Sequence, residues 1–346
     1  MRINNSIYKI KSLLAATKLS KPNCQKEVPN VSTVCIILIN IGLGDAIMAT
    51  SFIRSLKQSA VVVDVIVAKK TVPLFLGNND IENVILFDDE IACQRRKYDL
   101  VIDPYSHCGW YATYKYLKLL SILKYNYLSG FDVRLPKKYS DNYIPEDKKI
   151  HITDYYRYIS DQFIDNPGVF PENYILPFTK VIQSMARDYI SSLPEHTLKV
   201  AICPFASTPK RSFSGFQLNE MLKLLSTKEN ISIVLLMEKN KLSEISLYEN
   251  TYFFEAPDFI SAAAVLCQCD FVVSVDTSFV HVANCGNKPS LVFYSSVYND
   301  GYNTDDLCGP NYPNARQIIN NQGISAISPQ YIHDEIINSL DKLITS

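Results

Sequence analysis

The strongest constraint on the fold is a pattern of short apolar runs that alternate with amphipathic segments in two separate series. The first series opens with Val34–Asn40, a continuous apolar run typical of a parallel strand covered on both faces. Further strands are predicted at Val61–Val67, Val84–Phe87, Leu100–Ile102, Leu198–Cys203, Ile231–Met237, Phe271–Val275 and Ser290–Phe293, and helices over 46–58, 152–164, 216–226, 259–267, 278–285 and 329–344. Because alternating strands and helices form parallel sheets with right-handed crossovers, the chain is predicted to be an α/β protein with two Rossmann-like, doubly wound parallel-sheet domains facing a cleft.

Breaks in this pattern predict four segments. Residues 1–30 form a basic arm, 31–170 a first Rossmann-like domain, 171–328 a second, and 329–346 a closing helix. Pro167, Gly168 and Pro171 are the best candidates for a linker between the domains, because proline and glycine interrupt regular structure.

The basic arm is amphipathic. Residues 1–30 contain six Lys or Arg and one acid, Glu27, and the apolar side chains Ile3, Ile7, Ile10 and Leu14 recur at helical spacing. This pattern fits a helix lying on anionic lipid, so residues 1–26 are a candidate for peripheral membrane contact. A solvated tail and a helix docked on the body are the alternatives.

Charge and cysteine content exclude several classes of protein. The chain has 34 Lys plus Arg and 35 Asp plus Glu, so no bulk positive charge favours nucleic-acid binding. The nine cysteines include no CxxC pair, and the five histidines do not pair with them at ligand spacing, so a zinc site is not expected. No run approaches the roughly 20 apolar residues of a membrane span, nor does the N-terminus show the apolar region of a signal peptide. We therefore expect a cytoplasmic protein, at most peripheral to the inner face of a membrane.

The first strand-to-helix turn contains Gly42, Leu43, Gly44 and Asp45. It lacks the third glycine of a dinucleotide fingerprint, and Lys69 and Lys70 follow the second strand where a ribose-binding acid would stand, which disfavours a nicotinamide site. A carboxylate at a helix N-terminus is normally kept ionised, which suits a general base. Asp is equally a common helix cap, so Asp45 has a structural alternative.

The second series contributes two further loops. Ser274–His281 (SVDTSFVH) leads from a buried strand into a helix without an acid in its first turn, which leaves the N–H groups and dipole for an external anion. Asp276, Thr277, Ser278 and His281 are the candidate ligands there, with helix capping and core packing as the alternatives. The loop Cys203–Arg211 places Ser207, Thr208, Lys210 and Arg211 after another strand, a composition suited to a diphosphate.

An acceptor site is less clearly marked. Gly42 and Gly44 would let a substrate approach the backbone beside Asp45. Lys69, Lys70, Arg95, Arg96 and Lys97 are candidates for contacts with acceptor phosphates or are solvated surface. The aromatic side chains that suit either sugar stacking or packing are Trp110, Tyr105, Tyr111, Tyr114 and Tyr116.

Taken together, these segments resemble glycosyltransferase family 9, the heptosyltransferases of bacterial lipopolysaccharide core assembly. The similarity covers Ile36–Thr50 (IILINIGLGDAIMAT), Ala206–Phe213 as a Lys-Arg-aromatic loop, Asp276–Ala283 as a D-T-x-x-x-H-x-A turn, and Lys288–Phe293. The resemblance implies a GT-B fold and metal-independent inverting transfer from a nucleotide-diphosphate sugar, typically ADP-heptose, to a lipopolysaccharide-core or related glycan acceptor. It implies no cofactor.

By the same resemblance, Asp45 is the base that deprotonates the acceptor hydroxyl and Lys210 holds the donor diphosphate, while Asp276, Thr277, Ser278 and His281 bind the donor sugar and phosphates. Ser278, Phe205 and Phe213 depart from the family pattern near the expected donor, which predicts an altered donor sugar. The alternatives are a sugar-nucleotide epimerase and a non-catalytic protein that binds sugar nucleotides or glycans.

Overall fold

The computed structural model describes residues 2–17, 31–104, 109–130, 139–142, 150–295, 298–299 and 302–345. The chain divides into two compact units, each with its own sheet. Unit 1 comprises Met1–Asp147 and Ile152–Pro171, and unit 2 comprises Lys148–His151 and Glu172–Ser346.

Unit 1 begins with a helix and continues as an alternation of strands and helices. Its helices are α1 Arg2–Thr17, α2 Leu43–Gln58, α3 Glu90–Gln94, α4 Trp110–Leu120 and α5 Ile152–Phe163, with a 3₁₀ helix at Lys69–Leu74. Its strands are β1 Thr33–Leu38, β2 Val62–Val67, β3 Asn83–Leu86, β4 Lys97–Asp103, β5 Lys124–Gly130 and β6 Asp141–Asn142.

All strand pairs of the unit 1 sheet are parallel, in the order β3-β2-β1-β4-β5-β6. Cys35, Ile37, Val101 and Leu128 belong to the core under this sheet, as the continuous apolar runs predict. The central position of β1 matters for function, since the turn after it lies between the ends of β2 and β4.

The predicted linker packs against α2, and the boundary between the two units follows Pro171. The Gly168 N–H donates to Ser59 Oγ at 2.7 Å, and a Cβ at Gly168 would lie 2.3 Å from the backbone oxygen of Ser55. Only glycine fits so close an approach. Phe52 of α2 also stacks on Tyr156 of α5 with ring centroids 4.9 Å apart, so α5 and the residues after it belong to unit 1.

Unit 2 repeats the same architecture. Its helices are α6 Lys180–Ser191, α7 Gly215–Leu225, α8 Phe259–Gln268, α9 Ser278–Cys285, α10 Thr304–Leu307 and α11 Pro329–Thr345, with 3₁₀ helices at Pro209–Arg211, Lys239–Glu244 and Ile324–Ala326. Its strands are β7 Leu198–Cys203, β8 Ile231–Leu235, β9 Thr251–Phe253, β10 Phe271–Val275, β11 Ser290–Tyr294, β12 Tyr298–Asn299, β13 Tyr302–Asn303 and β14 Ala315–Ile319.

The main sheet of unit 2 is parallel throughout, in the order β14-β11-β10-β7-β8-β9, while β12 and β13 form a separate antiparallel pair. Its core joins residues of the strands, such as Ile202 and Val273, to residues of the last helix, such as Ile332 and Ile336. The C-terminal helix α11 is therefore part of the core of unit 2.

The structure departs from the prediction mainly over residues 98–158. The sequence there is rich in tyrosine, which suits helix and strand alike, and it predicted no regular element between Ile102 and residue 152. The structure forms α4 and β5 in this stretch. The sequence also missed α6, the edge strands β9 and β14, and the first turn of α2. Among the helices in the described ranges, none combines the length and the apolar character that a membrane span requires.

Candidate functional site

Asp45 lies in the first turn of α2, immediately after the central strand of unit 1. The N-cap is Gly42, and the Asp45 carboxylate turns back to accept the Gly42 N–H at 2.8 Å. This is the side-chain half of a capping box, in which the acid stands three residues into the helix. Asp45 is half-buried, so its carboxylate makes the capping contact and is still accessible.

The turn before Asp45 is shaped by small and left-handed residues. Asn40 has φ 59°, a conformation that Asn tolerates better than most residues. A Cβ at Gly42 would stand 3.0 Å from Asp45 Oδ2, so glycine at this position lets the carboxylate close on the backbone. Gly42 is exposed, and Gly44 is half-buried one residue before Asp45.

The basic residues proposed for the acceptor side lie at two different edges of the sheet. Lys69 and Lys70 are exposed and follow β2, which pairs in parallel with β1, so they share the carboxyl edge with Asp45. Arg95 and Arg96 precede β4 at the opposite, amino edge, and Arg96 Nη1 lies 3.6 Å from Asp64 Oδ2. The amino-edge residues, Lys97 included, are therefore not neighbours of Asp45.

A buried carboxylate at the carboxyl edge was missed by the sequence analysis. Asp103 ends β4, next to β1, and accepts the Tyr139 hydroxyl at 2.7 Å. Burial, together with the Asp103 charge, holds the pKa of Tyr116 well above its usual value. The sequence signal that could have identified Asp103 is its position directly after the predicted strand Leu100–Ile102.

The aromatic candidates serve mainly to pack α1. Tyr8 of α1 lies against Tyr111 and Tyr114 of α4, with ring centroids 4.8 and 5.8 Å apart. The Trp110 backbone oxygen accepts the Ser12 hydroxyl at 3.2 Å, and Tyr116 is buried. Tyr105 lies outside the described residues.

In unit 2, the loop after β7 presents its polar side chains to solvent. Ser207, Thr208 and Lys210 are all exposed around the 3₁₀ turn Pro209–Arg211. The buried Ser212 holds this loop from behind, because its hydroxyl accepts the Ala206 N–H and donates to the Thr208 oxygen, both at 2.9 Å. The loop is thus a braced surface on which Lys210 projects.

Arg211 has a role that the sequence did not assign. Its Nε lies 2.9 Å from Asp276 Oδ2, and Nη2 donates both to the Asp276 backbone oxygen at 2.6 Å and to Oδ1 at 3.2 Å. A planar guanidinium can make such a forked contact, whereas the lysine ammonium cannot. Arg211 therefore joins the loop after β7 to the residue that follows β10.

The N-terminus of α9 completes this group. Thr277 is the N-cap, its side chain makes no cap hydrogen bond, and the first turn carries no acid. Both Thr277 and Ser278 are half-buried. The Thr277 side chain therefore does not cap α9. The N-terminus of this helix is suited to an anion.

His281 lies one turn into α9 and is buried, with 5% of its surface exposed. Burial, assisted by His151, lowers the pKa of His281 to about 3, so the ring is uncharged at neutral pH. Its Nδ1 has no hydrogen-bond partner among the residues that the structure describes, and its ring centroid lies 5.9 Å from that of Tyr174. Any part it takes in anion binding is that of a neutral group.

The three departures from the family pattern differ in location. Ser278 is at the helix end, as expected. Phe213 is 2% exposed and packs in the core, with its ring centroid 5.3 Å from that of Phe293. Phe205 is half-buried against the same core. Phe213 thus changes packing beneath the loop rather than its surface.

Sheet topology explains which candidates meet. Strands β7 and β10 pair in parallel, with Cys203 opposite Ser274, so the loops that follow them start side by side. This brings Ser207, Thr208 and Lys210 to the same edge as Asp276, Thr277, Ser278 and His281. A separate group in unit 1 consists of Asp45, Gly42, Gly44, Lys69 and Lys70. Among the described residues there is no group of three or more His, Cys, Asp or Glu placed to hold a metal ion.

Two comparisons of the sequence with known proteins point to the same family. A family model described as "Glycosyltransferase family 9 (heptosyltransferase)" matches residues 138–324. The chain is 27% identical over 328 residues, 90% of this chain and 89% of the relative, to "Putative lipopolysaccharide heptosyltransferase 4" of Escherichia coli (strain K12).

Solved structures support the fold. A glycosyltransferase family 9 structure from Veillonella parvula DSM 2008 matches with a TM-score of 0.71 and 14% identity, covering 92% of this chain and 99% of that one. E. coli ADP-heptose lps heptosyltransferase II matches with a TM-score of 0.67 and 18% identity, covering 90% and 99%. The two parallel-sheet α/β domains are those of the GT-B fold.

Proposed function

Because the chain belongs to glycosyltransferase family 9, it is a glycosyltransferase, and we propose that it transfers heptose from ADP-heptose to a lipopolysaccharide-core or related glycan acceptor. The description of the family names a heptosyltransferase, which favours this reaction over the epimerase and binding-only alternatives. The names of its relatives support heptose as the sugar and ADP as the nucleotide.

The observation that carries the donor assignment is the arrangement at the carboxyl edge of the unit 2 sheet. An exposed lysine, Lys210, and the hydroxyls of Ser207 and Thr208 lie at the same sheet edge as a helix N-terminus whose first turn carries no acid. Such an arrangement suits a diphosphate, because the positive helix end and a lysine both favour negative charge. Asp276, Thr277, Ser278 and His281 complete this donor site in the proposal.

The chemistry is a single displacement at the anomeric carbon. Asp45 takes the proton of the acceptor hydroxyl as its oxygen bonds to that carbon, and the bond between the carbon and the diphosphate oxygen breaks on the opposite face, which inverts the configuration. The nucleoside diphosphate leaves with the bond electrons. Lys210 and the N–H groups of α9 stabilise its charge without a metal ion, and His281 contributes only as a neutral group.

The acceptor side of the proposal lies in unit 1. Gly42 and Gly44 give the acceptor access to the backbone beside Asp45, and Lys69 and Lys70 at the same edge meet acceptor phosphates. We place the enzyme in the cytoplasm, in contact with the inner membrane through residues 1–26. The seven cysteines in the described ranges are all free thiols.

The test of Asp45 is its replacement by the isosteric amide, Asp45→Asn. We expect turnover to fall by at least roughly 100-fold, because general base catalysis is typically worth that much, while donor binding and stability are retained. The matched control is Asp89→Asn. Asp89 caps α3 in the same unit by accepting the Ala92 N–H at 2.9 Å, so it loses the same charge at a helix start without a proposed chemical role. Equal activity of the two variants would remove Asp45 from the mechanism.

Donor identity is tested by thermal stabilisation of the full chain with ADP, ADP-heptose and the corresponding UDP, GDP and CMP compounds. A ligand of the native state raises the unfolding midpoint by mass action. A selective rise with ADP compounds supports ADP-heptose. A selective rise with another nucleotide would keep the transferase and overturn the heptose assignment, in line with the altered donor that Ser278 suggests.

A further inference from the structure

Helix α1 packs against α4 of the same unit through one of its faces. Tyr8, Ser12 and Ala16, spaced four residues apart, lie on the side toward α4. Ser12 and Ala16 are buried, at 1% and 5% exposure. The small side chains allow close approach of the two helices, and the Ser12 hydroxyl bonds the Trp110 backbone oxygen.

The opposite face of α1 is apolar and open to solvent. Ile7, Ile10, Leu13 and Leu14 are 45%, 59%, 48% and 60% exposed. These four residues are called the apolar face below. A helix docked on the body and a helix in contact with lipid are therefore not alternatives. The docking uses other residues, and none of the described residues covers the apolar face.

Lysines border the apolar face on both sides. Lys11 neighbours Ile7, and Lys9 neighbours Leu13, at the four-residue spacing that places side chains together on a helix. Both lysines are exposed, with Lys9 Nζ 5.7 Å from the Trp110 ring centroid and Lys11 Nζ 5.4 Å from that of Tyr8. Both ammonium groups thus lie at the border between the apolar face and the contact with α4.

The sequence around α1 adds charge of the same sign. Residues 1–26 contain no Asp or Glu, and Lys18, Lys21 and Lys26 follow the helix. An apolar strip bordered by cations is complementary to a bilayer whose surface carries anionic headgroups above an apolar interior. A second copy of the same face is less well matched, because its lysines would meet lysines of the same charge.

We propose that the apolar face of α1 inserts into the headgroup boundary of an anionic lipid bilayer while the Tyr8–Ser12–Ala16 face keeps the helix docked on α4. Because α1 remains docked on α4, its contact with lipid holds unit 1 itself at the membrane surface. A loose tail would not hold the unit in this way. This deepens the proposed function and rests on it in one respect, which is that a lipid-linked glycan acceptor would be presented to the unit that carries Asp45.

The test is flotation of the full-length protein with vesicles of phosphatidylcholine alone or with roughly 30 mol% phosphatidylglycerol. We expect binding to the anionic vesicles, weakened by salt. Ile10→Glu/Leu14→Glu should lower that binding by at least about tenfold, because it removes apolar area and adds repelling charge. The control, Ile91→Glu/Val181→Glu, makes the same change at residues 74% and 78% exposed on α3 and α6, and should bind like the wild type.

Three results would overturn the proposal. The first is failure of the wild-type chain to bind anionic vesicles, and the second is equal binding by the two double variants. The third is a sedimentation measurement in which Ile10→Glu/Leu14→Glu converts a dimer to a monomer without affecting lipid binding. Unchanged Trp110 fluorescence in the free variant verifies that α1 stays docked. Transfer to a water-soluble acceptor fragment separates the two claims: retained transfer without vesicle binding refutes only the membrane proposal, and binding without transfer refutes only the proposed function.

Discussion

The Asp45 carboxylate makes a structural contact and is also the proposed general base. Its bond to the Gly42 N–H fixes the side chain against the start of α2. A carboxylate held in this way is oriented before substrate arrives, which lowers the cost of reaching a reactive geometry. The capping and base interpretations, which the sequence left as alternatives, are therefore compatible in the structure.

Lys210 and Arg211 are adjacent in sequence but differ in surroundings. Lys210 is exposed, while Arg211 is bonded to Asp276. We expect Lys210→Ala to leave the unfolding midpoint unchanged and to weaken the affinity for the donor nucleotide by about tenfold, measured by calorimetric titration. Lys239→Ala, which removes an exposed lysine of unit 2 paired with Glu255, is the control. Equal donor affinity in both variants would contradict the phosphate role of Lys210.

His281 makes stability depend on pH. Its pKa is about 3 in the folded protein, against 6.5 for an unperturbed histidine, so the unfolded chain binds the extra proton between these values. The His281 contribution to stability is fully present above pH 6.5 and is lost progressively as the pH falls toward 3. We expect the unfolding midpoint of His281→Gln to fall less steeply than that of the wild type between about pH 7 and 5. The exposed His196→Gln should retain the wild-type slope, and a shared slope for all three proteins would refute this assignment.

At the scale of elements, α4 shows why tyrosine-rich segments were difficult to predict. Its tyrosines are divided among a contact with α1, a half-exposed surface and the buried core. The periodicity of apolar residues within α4 does not record this division, because its partner α1 lies about a hundred residues earlier in the chain. The strands of the two sheets were easier to predict, since burial on both faces requires a continuous apolar run.

The single tryptophan of the chain, Trp110, reports on the docking of α1. Ser12→Glu places a charge on the docked face, so we expect α1 to separate from α4 and Trp110 emission to shift to longer wavelength with greater access to a soluble quencher. Leu13→Glu, on the apolar face, adds the same charge one residue away and should leave the emission unchanged. Similar spectra for the two variants would show that the docking does not depend on the Ser12 face.

At the scale of the whole molecule, the proposal assigns the nucleotide to unit 2 alone. We expect ADP to slow amide hydrogen exchange in residues 203–211 and 274–281, since ligand binding stabilises the segments that it contacts. Residues 39–45 of unit 1 should exchange at the rate of the free protein until an acceptor is added. Lys210→Ala should reduce the protection at a given ADP concentration, and protection confined to unit 1 would reverse the assignment of donor and acceptor.

The sequence by itself determined the α/β class, the two series of buried parallel strands and the loops that carry Asp45, Lys210 and Asp276. It could do so because strand burial, glycine turns and helix starts each leave a local signal. Only the tertiary structure decided that Arg211 clamps Asp276, that Phe213 belongs to the core, that Arg95 and Arg96 lie at the edge opposite Asp45, and that α1 docks by Tyr8, Ser12 and Ala16. Each of these outcomes depends on which strands and helices become neighbours, a choice made by packing between segments far apart in the chain, so no local pattern contains it.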